Sequence, residues 1–206
     1  LSQLTPATFT GSPVGPVDPT LSASFDGGAL GIIDAFKNMS NSPTVELWFK
    51  TNSAGVLIGQ EDATDSSYAP IMYIGTDGRL RGSFWNTAGS VPIATAGTVT
   101  NGQWHHALLS TSQAGSGRAA FQSLYLDGAL VGSKADPPAY DFMTRVYLGA
   151  GITTGWPAGT TGPVSWTGFT GQLAHAVIYS HPLDQVAATR HYQAGLATLT
   201  GTTPVT

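Results

Sequence analysis

Short β-forming runs, each broken by Gly, Pro, Asn or Asp, follow one another from residue 21 to about residue 180. The pattern predicts strands at Thr44–Lys50, Gly55–Gln60, Pro70–Gly75, Arg79–Trp85, Gln103–Thr111, Phe121–Leu126, Ala129–Ser133, Arg145–Gly149 and Gly171–Tyr179. Asp77-Gly78 and Asp127-Gly128 each sit between two such runs, the strongest short-range signal for a hairpin. In Arg79–Trp85, period two sends Leu80, Gly82 and Phe84 to one face and Arg79, Arg81, Ser83 and Trp85 to the other. A single helix is expected at Asp184–Ala194, with Asp184 as N-cap and Gly195 as the residue that stops it. Strands joined by turns, without helical crossovers, predict an antiparallel sandwich.

The ends have a different texture. Pro6, Gly11, Pro13, Gly15, Pro16 and Pro19 punctuate residues 1–20, which read as a linker or as an arm packed through Phe9 and Val14. Residues 196–206 are again rich in Thr and breakers and read as a C-terminal linker. One domain over residues 21–195 is the expected organisation, and the two flanks suggest a module of a longer polypeptide.

Composition narrows the function classes. The 206 residues include no cysteine, which excludes a disulfide framework, a thiolate zinc site and a Cys nucleophile. Only 10% of residues are charged and 8 are basic, which argues against a nucleic-acid partner, because phosphate contacts need clustered Lys and Arg. No apolar run approaches the roughly 18 residues that span a membrane. The first residues, Leu1-Ser2-Gln3-Leu4, lack the basic and apolar regions of a signal peptide. The low charge and Thr/Gly-rich texture suit a secreted or cell-surface protein of bacterial character. On that reading the sequon Asn38-Met39-Ser40 is a chance match.

Five segments resemble a known family when taken in order: Thr44–Lys50 (TVELWFK), Gly102–His106 (GQWHH), Leu124–Gly128 (LYLDG), Gly171–Tyr179 followed by Pro182-Leu183, and His191–Gly195 (HYQAG). In this order the chain is similar to laminin-G-like domains of the concanavalin A-like lectin/glucanase superfamily. The resemblance implies an all-β, concanavalin A-like jelly-roll sandwich of two antiparallel sheets with one short C-terminal helix. It specifies the fold and says little about the ligand. It also implies a structural Ca²⁺ at the sandwich edge, as in many members. Ser24-Phe25-Asp26-Gly27-Gly28 would supply Asp26 and a carbonyl near Gly27, but Ala174 and His175 stand where members often carry an acid, so only a carbonyl near Ala174 remains on that side. Two readings of Asp26 stand: calcium ligand, or turn-forming aspartate before Gly27.

The glucanases of that superfamily need two carboxylates flanking the scissile bond. This chain has only two glutamates, Glu46 and Glu61, and no strand carries acids at alternate positions. No catalytic residue is therefore assigned, and Glu46 reads as an exposed or locally paired acid. His105 and His106 are adjacent on a strand, point to opposite faces and cannot share an ion. His175, His181 and His191 show no ligand spacing.

Sugar binding needs an aromatic plane and polar partners for hydroxyls. Trp48 and Trp104 lie in strand motifs and read as core. Trp85 precedes a turn, and Trp156 and Trp166 lie in the Gly/Pro/Thr-rich stretch 151–168, so these three are the candidate sugar-stacking rings. The loop carrying Asp62 and Asp65, with Tyr68 beside it, is the candidate source of hydroxyl contacts, its alternative being a solvated loop. The resulting expectation is a non-catalytic, carbohydrate-binding module of a larger secreted or surface protein. The alternative is a structural or protein-interaction module, such as a spacer, an adhesion unit or part of a toxin or phage tail; a glycan hydrolase comes third.

Overall fold

A computed structural model describes residues 22–28, 31–33, 42–62, 67–85, 91–113, 119–136 and 145–200. The strands are β1 (Ala23–Asp26), β2 (Gly31–Ile33), β3 (Thr44–Lys50), β4 (Gly55–Glu61), β5 (Tyr68–Ile74), β6 (Leu80–Gly82), β7 (Ile93–Ala94), β8 (Trp104–Gln113), β9 (Ala119–Leu126), β10 (Ala129–Lys134), β11 (Arg145–Leu148), β12 (Ala150–Ile152), β13 (Trp166–Gly168) and β14 (Thr170–Tyr179), followed by helix α1 (Gln185–Thr200). Among the described residues they form two six-stranded sheets and a ribbon. Sheet A has the order β1-β14-β3-β8-β9-β10, sheet B the order β2-β11-β4-β5-β6-β7, and β12 pairs with β13. Every pairing is antiparallel, as the turn-linked pattern requires.

The core lies between the sheets. Val45, Leu47 and Phe49 of β3 and Ala107 and Leu109 of β8 face Leu57 and Ile58 of β4 and Ile71, Met72 and Ile74 of β5. Burying each large apolar side chain contributes roughly 1.5–3 kcal/mol. The alternate residues of β3, namely Thr44, Glu46 and Trp48, point away from this core and are nevertheless buried, Glu46 and Trp48 under α1 and Thr44 under the segment His181–Leu183 that leads into it. Trp48 stacks on Tyr192 of α1, rings 5.8 Å apart and 17° from parallel.

Both expected hairpins form. At the β9–β10 turn Asp127 and Gly128 take φ of 52° and 74°, the pair of left-handed residues that a tight two-residue hairpin needs. Gly128 is also a point of close approach: a Cβ there would lie 3.1 Å from Thr189 Cα. The β5–β6 turn closes through Gly78 N–H to the Gly75 carbonyl.

Two predicted elements depart clearly from their expected extent. The run Arg79–Trp85 is regular strand only over β6, although Leu80 and Phe84 do face the core. The helix starts as predicted, with Asp184 Oδ1 accepting from the Ala187 N–H at 2.9 Å, but it runs on through Gly195 to Thr200. Gly195 and Ala197 are both buried, so packing of small residues overrides the stop signal. The first residues of the stretch read as a C-terminal linker are therefore helical.

Candidate functional site on the outer face of sheet B

Val56, Tyr73 and Arg81 stand in one cross-strand row on β4, β5 and β6. None of them joins the central core; they point outward. The segment from Ala150 to Gly168 folds over this face. Its ribbon, β12–β13, lies across β4, where Gly59 and Gly151 permit close contact: a Cβ on Gly59 would meet Gly151 Cα at 3.2 Å, and one on Gly151 would meet Val56 Cγ1 at 2.8 Å.

Three donors then fasten the loop beyond β12. Tyr68 Oη donates to the Thr154 carbonyl at 3.1 Å, Tyr73 Oη to the Pro157 carbonyl at 2.8 Å, and the Thr76 N–H to the Ala158 carbonyl at 2.8 Å. Burial pushes the Tyr73 phenol well above its ordinary value, so it stays a donor. Two tight turns, Trp156 N–H to the Thr153 carbonyl and Gly159 N–H to the Trp156 carbonyl, set Trp156 at the bend. Its ring meets Tyr73 edge-on at 6.5 Å and Trp85 at 6.3 Å with a 53° tilt. Beside them Arg81 forks onto Asp77, Nη1 to Oδ1 at 2.7 Å and Nη2 to Oδ2 at 2.6 Å. The guanidinium hydrogen bonds hold the Asp77 carboxyl at about 2. Thr153 Oγ1 lies 3.1 Å from Thr167 Oγ1 and accepts from the Thr160 N–H. The result is an aromatic corner with an ion pair on the same face, the chemistry that can meet a sugar's apolar face and its rim of hydroxyls.

The candidate residues divide. Trp85 and Trp156 come together, with Tyr68 tied to the same loop. Trp166 stands apart: it pairs with Ile152 in the ribbon, is 46% exposed and packs edge-on against Tyr147 at 4.8 Å. Tyr147 Oη in turn donates to Glu61 Oε2 at 2.6 Å. Asp62, expected in an open loop, is only 5% exposed. Asp65 lies outside the described residues. Tyr73 and Arg81 belong to the corner and carry no sequence motif that would have named them.

Asp26 makes the turn. Its Oδ1 accepts from the Gly28 N–H at 3.0 Å, and it sits opposite Thr170 in the β1–β14 register. Ala174 is four residues further along β14, about 13 Å at roughly 3.3 Å per residue, and is fully buried against Trp48. Carbonyls there share no coordination shell with Asp26, and among the described residues no three His, Asp or Glu side chains gather as metal ligands. The residues present do not fit the calcium site that the family resemblance implies.

A second polar constellation, on sheet A beneath α1, went unforeseen. Glu46 accepts from His106 Nε2 at 2.7 Å, from Tyr179 Oη at 2.9 Å and from His191 Nδ1, which lies 3.0 and 2.9 Å from its two oxygens. Burial alone would raise the Glu46 carboxyl, but the hydrogen bonds from His106 and His191 outweigh it and hold it at about 2. The same hydrogen bond raises His191, against a smaller opposing effect of burial. His106 Nδ1 is buried without a hydrogen-bond partner, so the ring meets its surroundings through the Nε2 contact with Glu46. Glu46 is thus buried and locally paired rather than exposed. It also lies on the outer side of sheet A whereas Glu61 lies on that of sheet B, so the two glutamates cannot flank one bond.

Comparison with known proteins agrees with this architecture. A laminin G family model of the concanavalin A-like lectin/glucanases superfamily matches residues 26–187. Among solved structures, a SAP-like pentraxin from Limulus polyphemus superposes with a TM-score of 0.55 at 17% identity, over 82% of this chain and 79% of that one. The CBM40 of a Ruminococcus gnavus IT-sialidase, bound to α2,3-sialyllactose, gives a TM-score of 0.55 at 12% identity, over 82% and 95%. The LG4-5 domains of the mouse laminin α1 chain give 0.54 at 16% identity, over 90% and 48%. Such identities speak for the fold alone. No curated protein is significantly similar in sequence. On the family match and the two-sheet architecture together, the chain belongs to the laminin G family of the concanavalin A-like lectin/glucanase superfamily.

Proposed function

We propose that this domain is a non-catalytic carbohydrate-binding module, working outside the cell or at its surface as one part of a larger polypeptide, and that sugar docks on the outer face of sheet B. The observation that carries the reading is the Trp85–Trp156 corner, braced by Tyr73, with the Arg81–Asp77 pair on the same face. Half-buried rings fixed from behind are pre-organised planes, and stacking on them costs little side-chain entropy. The presence of a sialyllactose-bound carbohydrate module among proteins of this fold is consistent with it. The placement of Glu46 and Glu61 on opposite faces supports the non-catalytic half.

A protein partner is the second reading, favoured by one observation. Ile32 pairs directly with Tyr147 at the β2 edge, and Ile32, Val164 and Trp166 are all exposed. A glycan array probed with the whole chain, followed by titration of the strongest hit against W156A, separates the two. Glycan binding lost in W156A supports the sugar corner; an array without hits, with binding instead to a surface protein that W166A disrupts, replaces it.

A further inference from the structure

The outer face of sheet A changes character along its length. Leu108 and Tyr125 face each other across β8 and β9 and pack under Ala188 of α1. One cross-strand row further on, beyond the start of the helix, the outward positions turn to hydroxyls on four neighbouring strands: Thr44, Ser110, Ser123 and Ser133 are successive partners on β3, β8, β9 and β10. They bond two by two, Thr44 Oγ1 with Ser110 Oγ at 2.9 Å and Ser123 Oγ with Ser133 Oγ at 2.7 Å. In the next row Ser112 faces Phe121, whose ring is 45% exposed.

A groove of about 450 Å³ runs over this floor, with Ser112 and Ser123 on one side and Leu183, Asp184 and the first turn of α1 on the other. The wall is firmly held, because the Leu183 N–H donates to both Thr44 Oγ1 at 3.0 Å and Ser110 Oγ at 2.9 Å. Among the described residues no cation lines the groove, and the one charge there is the Asp184 carboxylate. That lining offers nothing to an anionic ligand and much to a neutral polyol with one apolar face. Thr44 and Ser110 are buried and committed to holding Leu183, so the floor offers a ligand the hydroxyls of Ser112 and Ser123; the Asp184 carboxylate accepts at one rim, and the exposed Phe121 ring stands one row beyond Ser123 on the same face.

We infer that this groove is a second saccharide site, taking a neutral sugar unit between Phe121 and Asp184 across the serine floor. It lies on the opposite sheet from the tryptophan corner and does not depend on it. A domain with both sites occupied bridges two glycan chains, and the second contact gains from the raised local concentration that the first provides.

The test is amide-resolved titration of the isotopically labelled whole chain with maltotriose, cellotriose and N-acetyllactosamine in turn, at millimolar concentration. The expected result is that at least one sugar moves the amides of Ser112, Ser123 and Ala187. The shifts persist in the W85A/W156A double variant and vanish in Ser123→Arg, which fills the floor from an outward position. F121A, which removes only the exposed ring, weakens the same response about tenfold and answers the question should S123R not fold. Shifts confined to residues around Trp156, no shifts with any of the three sugars, or shifts unchanged in both S123R and F121A would each overturn the inference. The first of these outcomes leaves the sheet B reading intact.

Discussion

His191 and Glu46 are 145 positions apart in sequence, yet one imidazole nitrogen straddles both carboxylate oxygens at 3.0 and 2.9 Å. The contact fastens the last helix to the third strand, and its strength depends on pH from both sides. The raised value of His191 in the folded state means its contribution is complete below the ordinary value of 6.5 and fades as pH rises through the raised value. The lowered value of Glu46 means its contribution is complete above 4.5 and fades as pH falls toward about 2. Stability should therefore be greatest between these limits. Melting temperature followed from acid to alkaline pH checks this; H191Q should remove the alkaline-side decline and only lessen the acid-side one, because His106 still holds the Glu46 carboxyl.

Removing the carboxylate altogether should cost far more than removing its helix partner. Glu46→Ala leaves His106 buried with neither nitrogen satisfied and deprives Tyr179 and His191 of their acceptor. Breaking a buried hydrogen-bonded pair from one side costs about 3–5 kcal/mol. Urea denaturation of E46A beside H191Q measures the difference; equal, small losses would show the network to be solvated rather than buried.

The two loop tryptophans should behave differently. W156A removes the ring shared by Tyr73 and Trp85 and should lower glycan affinity about tenfold. W166A disturbs only the Tyr147 contact and should leave that affinity within twofold, by the near-additivity of separated sites. Calorimetric titration of both variants with one glycan decides this. An equal loss in both would mean that the ligand crosses the ribbon.

Chelation should leave the melting temperature unchanged. Asp26 Oδ1 holds the Gly28 N–H in a turn, and the Ala174 carbonyl lies too far along β14 to join Asp26 in one coordination shell. A fall in melting temperature with EDTA that D26A abolishes would restore Asp26 as a metal ligand.

Much of the fold was legible where two local signals coincided. Thr44–Lys50, dense in β-formers, emerges with its predicted bounds, and Asp127-Gly128 between β-rich runs forms its tight turn. β2, β7, β12 and β13 were not foreseen, because two or three residues are too few to display a period. Gly195 misled because a local stop signal says nothing of the sheet waiting beneath the helix. At the site, breaker-rich surroundings were enough to single out Trp85 and Trp156. That they meet over Tyr73 depends on how 150–168 folds back, which no local pattern encodes. The Glu46 network was least accessible: its three contacts span 60, 133 and 145 positions, and each residue taken alone looks ordinary.

The loop that carries Trp156 is gripped by its carbonyls, at Thr154, Pro157 and Ala158, while the donors belong to β5 and the turn after it. A peptide carbonyl is the same whatever side chain accompanies it. Substitutions along that loop can therefore rewrite what the face presents without loosening what holds it there. A library randomised at Thr154, Trp156 and Pro157, with Gly155 kept for its φ of 84°, should yield well-folded variants at high frequency. The module is in this respect a frame with an exchangeable specificity segment, open both to evolutionary drift in ligand and to deliberate engineering.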